Sequence, residues 1–270
     1  MERSSGIAQG LDLLLRPARR FYKSHPGVAR LLNRAIWRFA GPREAAERRR
    51  MVRLFEQVGP YTLIGAWGLL ALYRLCREAG QRGIAGAFVE CGVYRGGCGG
   101  VMAALAAQAD PPRRTWLFDS FEGLPEPTEH DRGNRQAAAG QYAAPIDDVR
   151  RLLFDELRLD PAAVSIEKGW FDRTLPAAAP RIGPIAVLRL DADLYESTRC
   201  CLENLYDQVT PGGFVIVDDY LGWPGCREAV DEFLAARGHR VEMHRVDPTD
   251  RSWKVSAVWF EKPRGGLASS

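Results

Sequence analysis

The pattern of hydrophobic residues divides the chain near residue 86. Before that point apolar side chains recur at helical spacing, which predicts helices over residues 27–39, 42–58 and 61–78. Gly59 and Pro60 separate the last two, because this pair interrupts a helix. The third helix is mostly apolar, so we expect it to be buried. The N-terminal part of the chain is therefore predicted to be helical throughout.

After residue 86 short apolar runs alternate with helical stretches. Strands are predicted at 87–90, 115–119, 164–168, 185–190 and 214–217, with a closing pair at 240–246 and 256–261. Helices are predicted from residue 97 to about 110, and at 146–159, 195–208 and 226–237. Strands that alternate with helices are typical of an α/β fold with a mostly parallel sheet.

Length and charge limit the organisation and the partners. A chain of 270 residues suits one α/β domain with an appendage, so we divide it into a helical extension (1–59), a main domain (60–262) and a tail (263–270). The net charge of +3 is too small to indicate nucleic acid. Arginines are concentrated between residues 16 and 50. We interpret them as the solvated face of helices that pack on the core or on a second subunit, which favours a homo-oligomer; a membrane-surface or polyanion-binding face is the alternative.

Cysteine spacing and hydropathy bear on the compartment. The six cysteines have no paired zinc spacing, and we interpret them as reduced packing residues. The sequence shows no secretory signal and no apolar run long enough to cross a membrane. We therefore expect a cytoplasmic protein without a transmembrane segment.

Four carboxylates follow two of the predicted strands. Asp191 and Asp193 come after the strand at 185–190, and Asp218 and Asp219 come after the next one. Because parallel strands end on the same edge, these acids are expected to converge, and converging carboxylates require a cation or strong screening. Asp191, Asp218 and Asp219 fit an Mg²⁺ site, since Mg²⁺ prefers hard oxygen ligands. The simpler alternative is that the acids cap helices and pair with arginines such as Arg189 or Arg227.

A glycine-rich turn indicates a nucleoside site. Gly92, Gly96 and Gly97 lie between a predicted strand and a helix, where glycine permits a tight turn and close approach of a ligand. Glu90 precedes the turn and Asp119 closes the next strand, where a carboxylate normally binds a ribose diol. The turn lacks the Gly-Lys-Ser/Thr of ATP-binding loops and the spacing of a dinucleotide site, which favours S-adenosylmethionine.

Two further segments adjoin this site. Gly169 and Trp170 follow the third strand, where the indole is a candidate wall for adenine, with ordinary packing as the alternative. Residues 120–145 have no periodicity and are too long for a simple connection, which is typical of a lid. We expect Glu129, His130 and Asp131 in this segment to contact the acceptor.

Five segments together resemble the macrocin O-methyltransferase family, the metal-dependent sugar O-methyltransferases of antibiotic biosynthesis. They are FVECGVYRGG (88–97), FDSFEGLP (118–125), KGWF (168–171), LDADLYEST (190–198) and GGFVIVDDY (212–220). The resemblance covers about residues 60 to 235. It implies a Rossmann-like class I methyltransferase fold with a seven-stranded, mostly parallel sheet, preceded here by the helical extension.

The resemblance also implies roles for individual residues. Asp191, Asp218 and Asp219 would bind Mg²⁺, and Asp193 would be the general base. The acceptor would be a hydroxyl of a deoxysugar on a glycosylated natural product. The residues expected to contact S-adenosylmethionine are Thr62, Glu90, Gly92, Tyr94, Arg95, Gly96, Gly97, Cys98, Asp119, Ser120, Gly169, Trp170, Phe171 and Asp191. Cys98 stands where a small polar residue is expected.

Other functions fit parts of the sequence. Asp191-Ala-Asp193 is formally the DxD motif of glycosyltransferases, although the glycine turn with Glu90 and Asp119 suits a nucleoside without phosphates. A non-catalytic cofactor-binding protein is the second alternative. Within methyl transfer, a catechol or a surface glycan would be the alternative acceptor.

Overall fold

Seven strands form one sheet in the computed structural model, which describes residues 26–132, 137–246 and 257–264. The order across the sheet is β3-β2-β1-β4-β5-β7-β6, and only β7 runs antiparallel to its neighbours in it. The prediction of a mostly parallel seven-stranded sheet is thus confirmed. The strands are β1 (Ala87–Cys91), β2 (Thr115–Asp119), β3 (Val164–Lys168), β4 (Ile185–Leu190), β5 (Val209–Val217), β6 (His244–Arg245) and β7 (Val258–Glu261).

Helices cover both faces of the sheet, because the central strands are apolar on both sides. Phe88, Val187 and Phe214 face the core formed with the N-terminal helices, whereas Val89 and Leu188 face the opposite core. The helices in the described residues are α1 (Pro26–Ala40), α2 (Ala45–Val58), α3 (Ala66–Gln81), α4 (Gly97–Ala107), α5 (Ile146–Arg150, continued by a wide helical turn at Arg151–Glu156), α6 (Phe171–Ile182), α7 (Tyr195–Leu205) and α8 (Pro224–Ala236).

The N-terminal helices are packed into the first of these cores. The ring centroids of Trp37 and Phe55 are 5.1 Å apart, and those of Phe55 and Tyr73 are 5.8 Å apart, both edge to face. The indole nitrogen of Trp37 donates to the carbonyl of Ala66 at 3.3 Å. Aromatic contacts of this kind fix α1, α2 and α3 to one another. Among the described residues, no helix is both long and apolar enough to cross a bilayer.

The third N-terminal helix begins later than predicted. It starts at Ala66 and not at residue 61, since Thr62 and Gly65 are extended, with ψ angles of 152° and 173°. The Thr62 hydroxyl accepts the backbone N–H of Ile64 at 3.1 Å, a local bond that competes with helix formation. The residues from Thr62 to Gly65 form part of the wall of a cavity.

Two further expectations needed correction at other elements. The sequence pattern did not predict α6, which contains Pro176 and Pro180, residues that disfavour a helix interior. The strand expected at 240–246 is reduced to β6, His244–Arg245, which pairs with Trp259 and Val258. Residue 256, predicted to start the last strand, lies outside the described residues.

Strands β1 and β4 are neighbours, and the strand order reverses between them. The chain continues from β1 to β2 and β3 on one side of this point, and from β4 to β5 on the other. Ligands of open α/β sheets bind beyond the carboxyl ends of the strands at such a point. Cys91 at the end of β1 lies beside Phe118 of β2 and Leu190 of β4. The residues that follow these strands are therefore brought to one rim.

Candidate active site

A cavity of about 650 Å³ opens at this rim. Its volume is within the range of small-molecule sites. It brings together both sets of acids and most of the residues that the sequence predicted to bind a cofactor. The predicted site residues that line it are Thr62, Glu90, Gly92, Tyr94, Cys98, Asp119, Ser120, Trp170, Phe171, Asp191, Asp193, Asp218 and Asp219.

Four predicted cofactor residues lie behind the wall of the cavity. Arg95 donates to Asp148 at 2.7 Å and to the carbonyl of Pro60 at 3.1 Å, which ties the glycine turn to neighbouring segments. A side chain at Gly97 would come within 2.6 Å of the Cβ of Thr62. Gly96 and Gly169 have φ angles of 95° and 143°, which favour glycine. These four residues shape the turns that carry the lining residues.

The acids after β4 and β5 form two groups. One carboxylate oxygen each of Asp191, Asp193 and Asp219 lies within 4.8 Å of the other two. Asp218 lies outside this group and accepts a hydrogen bond from Arg189 at 2.8 Å. The structure thus places Asp193 with two of the predicted metal ligands and turns one oxygen of the third, Asp218, toward an arginine.

Arg189 is the cation at the centre of this arrangement. It is 2% exposed and donates to Glu90 at 2.8 Å and Asp191 at 3.0 Å as well as to Asp218. It contacts one oxygen of each acid, so the second oxygen of Asp191 and of Asp218 can still bind a cation. The interpretation that acids pair with arginines holds for Arg189, whereas Arg227 pairs with Asp231.

Burial and mutual repulsion perturb these carboxyl groups. Burial, followed by the charges of Asp191 and Asp218, raises the pKa of Asp193 well above its usual value. Burial and the charge of Asp191 raise the pKa of Asp218 to about 6, and burial with the charges of Asp193 and Asp191 raises the pKa of Asp219. One arginine therefore does not balance the negative charge of this rim.

The chemistry of the cluster fits a divalent cation. The Oδ2 atom of Asp219 is buried without a hydrogen-bond partner, as is the Oε2 atom of Glu90. A buried polar atom without a partner is costly, and a cation on the Asp219 oxygen would remove that cost. The donors are carboxylate oxygens, which Mg²⁺ and Ca²⁺ prefer.

The other half of the cavity fits a nucleoside. Asp119 accepts the backbone N–H groups of Val93, Tyr94 and Phe121 at 2.7, 2.9 and 2.6 Å. A carboxylate has about four acceptor positions, so one remains for a ligand hydroxyl. At Gly92 a side chain would strike the backbone oxygen of Asp191 at 1.9 Å, so glycine is required there. Trp170 is 37% exposed at the cavity, which leaves a ring face for a planar ligand.

The segment after β2 differs from the expectation for a lid. Glu129, His130 and Asp131 do not line the cavity in the described structure. Asp131 is buried and accepts the N–H of Tyr195 at 3.0 Å, and His130 stacks on the Tyr195 ring at 3.9 Å. These contacts fasten the turn to the start of α7. Tyr142, which the sequence pattern did not single out, lines the cavity instead.

Burial of Glu90 makes stability depend on pH. Burial raises the pKa of Glu90 from 4.5 to about 8, against the opposing charge of Arg189. The folded protein then keeps a proton that the unfolded chain releases above about 4.5, so the free energy of unfolding falls as pH rises from about 4.5 to about 8. We expect the melting temperature in EDTA to fall across this window, and Glu90→Gln to reduce the slope. Equal slopes in the two proteins would contradict the assignment.

The sheet order with one antiparallel strand, the glycine turn after β1 and the acid after β2 define a class I methyltransferase. The chain belongs to the macrocin-O-methyltransferase (TylF) family, which it matches over residues 30–255. It is accordingly an O-methyltransferase, and the expected family and fold are confirmed.

Curated relatives and solved structures agree with this assignment. The chain is 40% identical over 210 residues to the 8-demethyl-8-(2,3-dimethoxy-alpha-L-rhamnosyl)-tetracenomycin-C 4'-O-methyltransferase of Streptomyces olivaceus, covering 73% of this chain and 77% of that one. It is 34% identical to the mycinamicin III 3''-O-methyltransferase of Micromonospora griseorubida, covering 95% and 100% of the two chains. The structure of the O-methyltransferase NovP is 35% identical and superposes with a TM-score of 0.66, over 76% of this chain and 83% of that one.

Proposed function

We propose that this enzyme transfers the methyl group of S-adenosylmethionine to a hydroxyl of a deoxysugar on a glycosylated natural product, with Mg²⁺ at the acid cluster. The observation that carries the proposal is that one cavity contains both the nucleoside-type wall at Asp119 and the carboxylates Asp191, Asp193 and Asp219. The names of the two relatives above refer to a rhamnosyl tetracenomycin and to mycinamicin III. The rhamnosyl group in the first of these names supports a sugar acceptor for this chain.

The cofactor is proposed to lie along the β1–β2 half of the cavity. Asp119 and Ser120 are suited to the ribose, Trp170 to the adenine, and Thr62 with Glu90 to the methionine end. When bound there, the cofactor supplies an electrophilic methyl group on sulfur. The acids that follow β4 and β5 line the same cavity.

The metal is proposed to bind Asp191, Asp218 and Asp219. The oxygens of Asp191 and Asp219 already lie close together, and Asp218 has a second oxygen beyond the one bound to Arg189. A divalent cation there would act as a Lewis acid that lowers the pKa of an acceptor hydroxyl. Arg189 holds two of the three ligands in place by hydrogen bonds to one oxygen of each.

Asp193 is proposed as the general base that removes the proton of the acceptor hydroxyl. It follows β4 on a tight turn with a φ angle of 57°, a conformation that few residues other than glycine adopt. That turn directs it into the cavity two residues beyond Asp191. Its raised pKa makes the ionised carboxylate a stronger base than an exposed aspartate.

Methyl transfer from labelled cofactor tests this proposal. We expect label to appear in an aryl rhamnoside or related 6-deoxyhexoside, and turnover to fall by about 10²-fold or more in EDTA and to return with Mg²⁺, because the cation would lower the pKa of the acceptor hydroxyl by several units. Catechol and a surface polysaccharide serve as comparison acceptors. Transfer only to one of these would refute the sugar acceptor, and full turnover in EDTA by protein shown to be metal-free would refute the metal.

A further inference from the structure

Tyr142 is an aromatic residue of the cavity that neither the predicted cofactor site nor the acid cluster uses. It lines the cavity, yet 41% of its surface is exposed. A large aromatic side chain normally loses such exposure on folding. Its exposure inside a binding cavity points to a ligand that covers the ring.

The backbone holds Tyr142 in a strained conformation. Its φ angle is 65°, which costs energy for a residue with a side chain. The N–H of Leu124 donates to the carbonyl of Gln141 at 2.8 Å, and the N–H of Gly140 donates to the carbonyl of Leu124 at 2.9 Å. Leu124 is itself buried. These hydrogen bonds hold the residues before Tyr142 in place, so the turn that carries the ring is ordered.

Tyr142 lines the same cavity as Asp191, Asp193 and Asp219. Burial raises the pKa of Tyr142, and the negative charges of Asp193, Asp219 and Asp191 raise it further. These three acids line the cavity in which an acceptor hydroxyl is proposed to lose its proton. An anionic ligand is disfavoured so close to several carboxylates, whereas a neutral polyol with an apolar C–H face is not. The surroundings of the ring thus match a sugar.

We propose that Tyr142 is a positioning residue on whose ring the sugar of the acceptor stacks, so that one hydroxyl faces Asp193. The inference rests on the proposed function, because it requires a sugar acceptor. The phenol face contacts the C–H face of the sugar, and the carboxylates contact its hydroxyl edge. This two-sided contact fixes which hydroxyl reaches the methyl group.

Steady-state kinetics of Tyr142→Ala and Tyr142→Phe test whether the sugar stacks on the ring. With the deoxyhexoside acceptor, Tyr142→Ala is expected to raise the acceptor KM by about tenfold, the fold-change of about 1.4 kcal/mol and a normal size for an aromatic contact. Tyr142→Phe keeps the ring and is expected to keep the KM nearly unchanged. Because alanine and tyrosine both have a Cβ atom, the backbone strain at this φ angle is the same in Tyr142→Ala and in the unchanged protein. Phe39→Ala, an exposed aromatic residue 57% accessible in α1 and away from the cavity, is the matched control.

Calorimetric titration separates an acceptor contact from a cofactor contact. The dissociation constants of S-adenosylmethionine and S-adenosylhomocysteine are expected to be the same for Tyr142→Ala and the unchanged protein. Weaker binding of S-adenosylmethionine, with unchanged binding of S-adenosylhomocysteine, would place the ring over the sulfonium and overturn the proposal. An unchanged acceptor KM in Tyr142→Ala would also overturn it, as would an equal rise in the acceptor KM in Tyr142→Ala and Tyr142→Phe. If the unchanged protein methylates no glycoside at all, the proposed function is wrong, and the proposed role of Tyr142 is wrong with it.

Discussion

Asp193→Asn is expected to lower kcat by about 10²- to 10⁴-fold while leaving the affinity for S-adenosylmethionine nearly unchanged. General-base catalysis contributes a factor of this size, and the amide cannot accept the proton. Asparagine keeps the shape of the side chain and tolerates the positive φ angle of this position. Single-turnover measurement with labelled cofactor gives the rate of the chemical step. Asp207→Asn, at an exposed acid paired with Arg237, is the control.

The geometry around Asp193 makes a second measurement necessary. Its carboxylate lies as close to Asp191 and Asp219 as a metal ligand would. We expect Asp193→Asn to bind Mn²⁺ almost as tightly as the unchanged protein, and Asp191→Asn to bind it much more weakly. Titration of Mn²⁺ followed by electron paramagnetic resonance measures both without turnover. A loss of affinity in Asp193→Asn equal to that in Asp191→Asn would assign Asp193 to the metal, and full activity of Asp193→Asn would remove it from the base role.

Arg189→Met is expected to lower the free energy of unfolding by about 3–5 kcal/mol, the usual cost of removing one partner from a buried ion pair. The guanidinium contacts Glu90, Asp191 and Asp218, and without it the ionised carboxylates among them would have no compensating charge. Urea unfolding measures the change. Arg227→Met is the control, because its pair with Asp231 is exposed and such pairs contribute about 0–1 kcal/mol.

A double variant shows whether charge is the cause. Glu90→Gln removes the ionisable carboxyl of the most deeply buried partner, whose pKa burial raises to about 8, and keeps a similar shape. Above about pH 8, where Glu90 can ionise, we expect the pair Glu90→Gln and Arg189→Met to be more stable than Arg189→Met alone, because one uncompensated charge is gone. Additive losses would show instead that Arg189 acts through packing. Arg189→Lys retains the positive charge with a single donor group. Its free energy of unfolding is expected to lie between those of the unchanged protein and Arg189→Met.

The sequence by itself determined the class of fold and the edge at which the site lies. Apolar runs of four to six residues between helical stretches predict a parallel sheet, and Asp119, Asp191 and Asp218 each directly follow such a run. These inferences hold because they depend on short-range periodicity and on the rule that parallel strands end at one edge. The five segments between residues 88 and 220, taken together, also identified the family.

The local sequence pattern gave wrong secondary-structure predictions where tertiary contacts outweigh the intrinsic propensity of the residues. The extended residues Thr62 to Gly65 follow an apolar pattern that favours a helix, but a local hydroxyl bond and the cavity wall keep them extended. The helix α6 forms in spite of Pro176 and Pro180, since Leu175, Ala178 and Ile182 are buried against the sheet. Burial of an apolar face can exceed a propensity cost of this kind.

Only the tertiary structure decided how the acids are divided. Arg189 and Glu90 are 99 residues apart in sequence, and Tyr142 lines the same cavity as the acids from a segment without periodicity. No spacing rule predicts which carboxylate pairs with a buried arginine and which remains for a ligand, because that depends on side-chain directions from separate strands. The sequence thus determined that four acids meet at the end of β4 and β5. The fold decided that Arg189 binds Asp218 and Asp191, and that Asp193 faces the cavity.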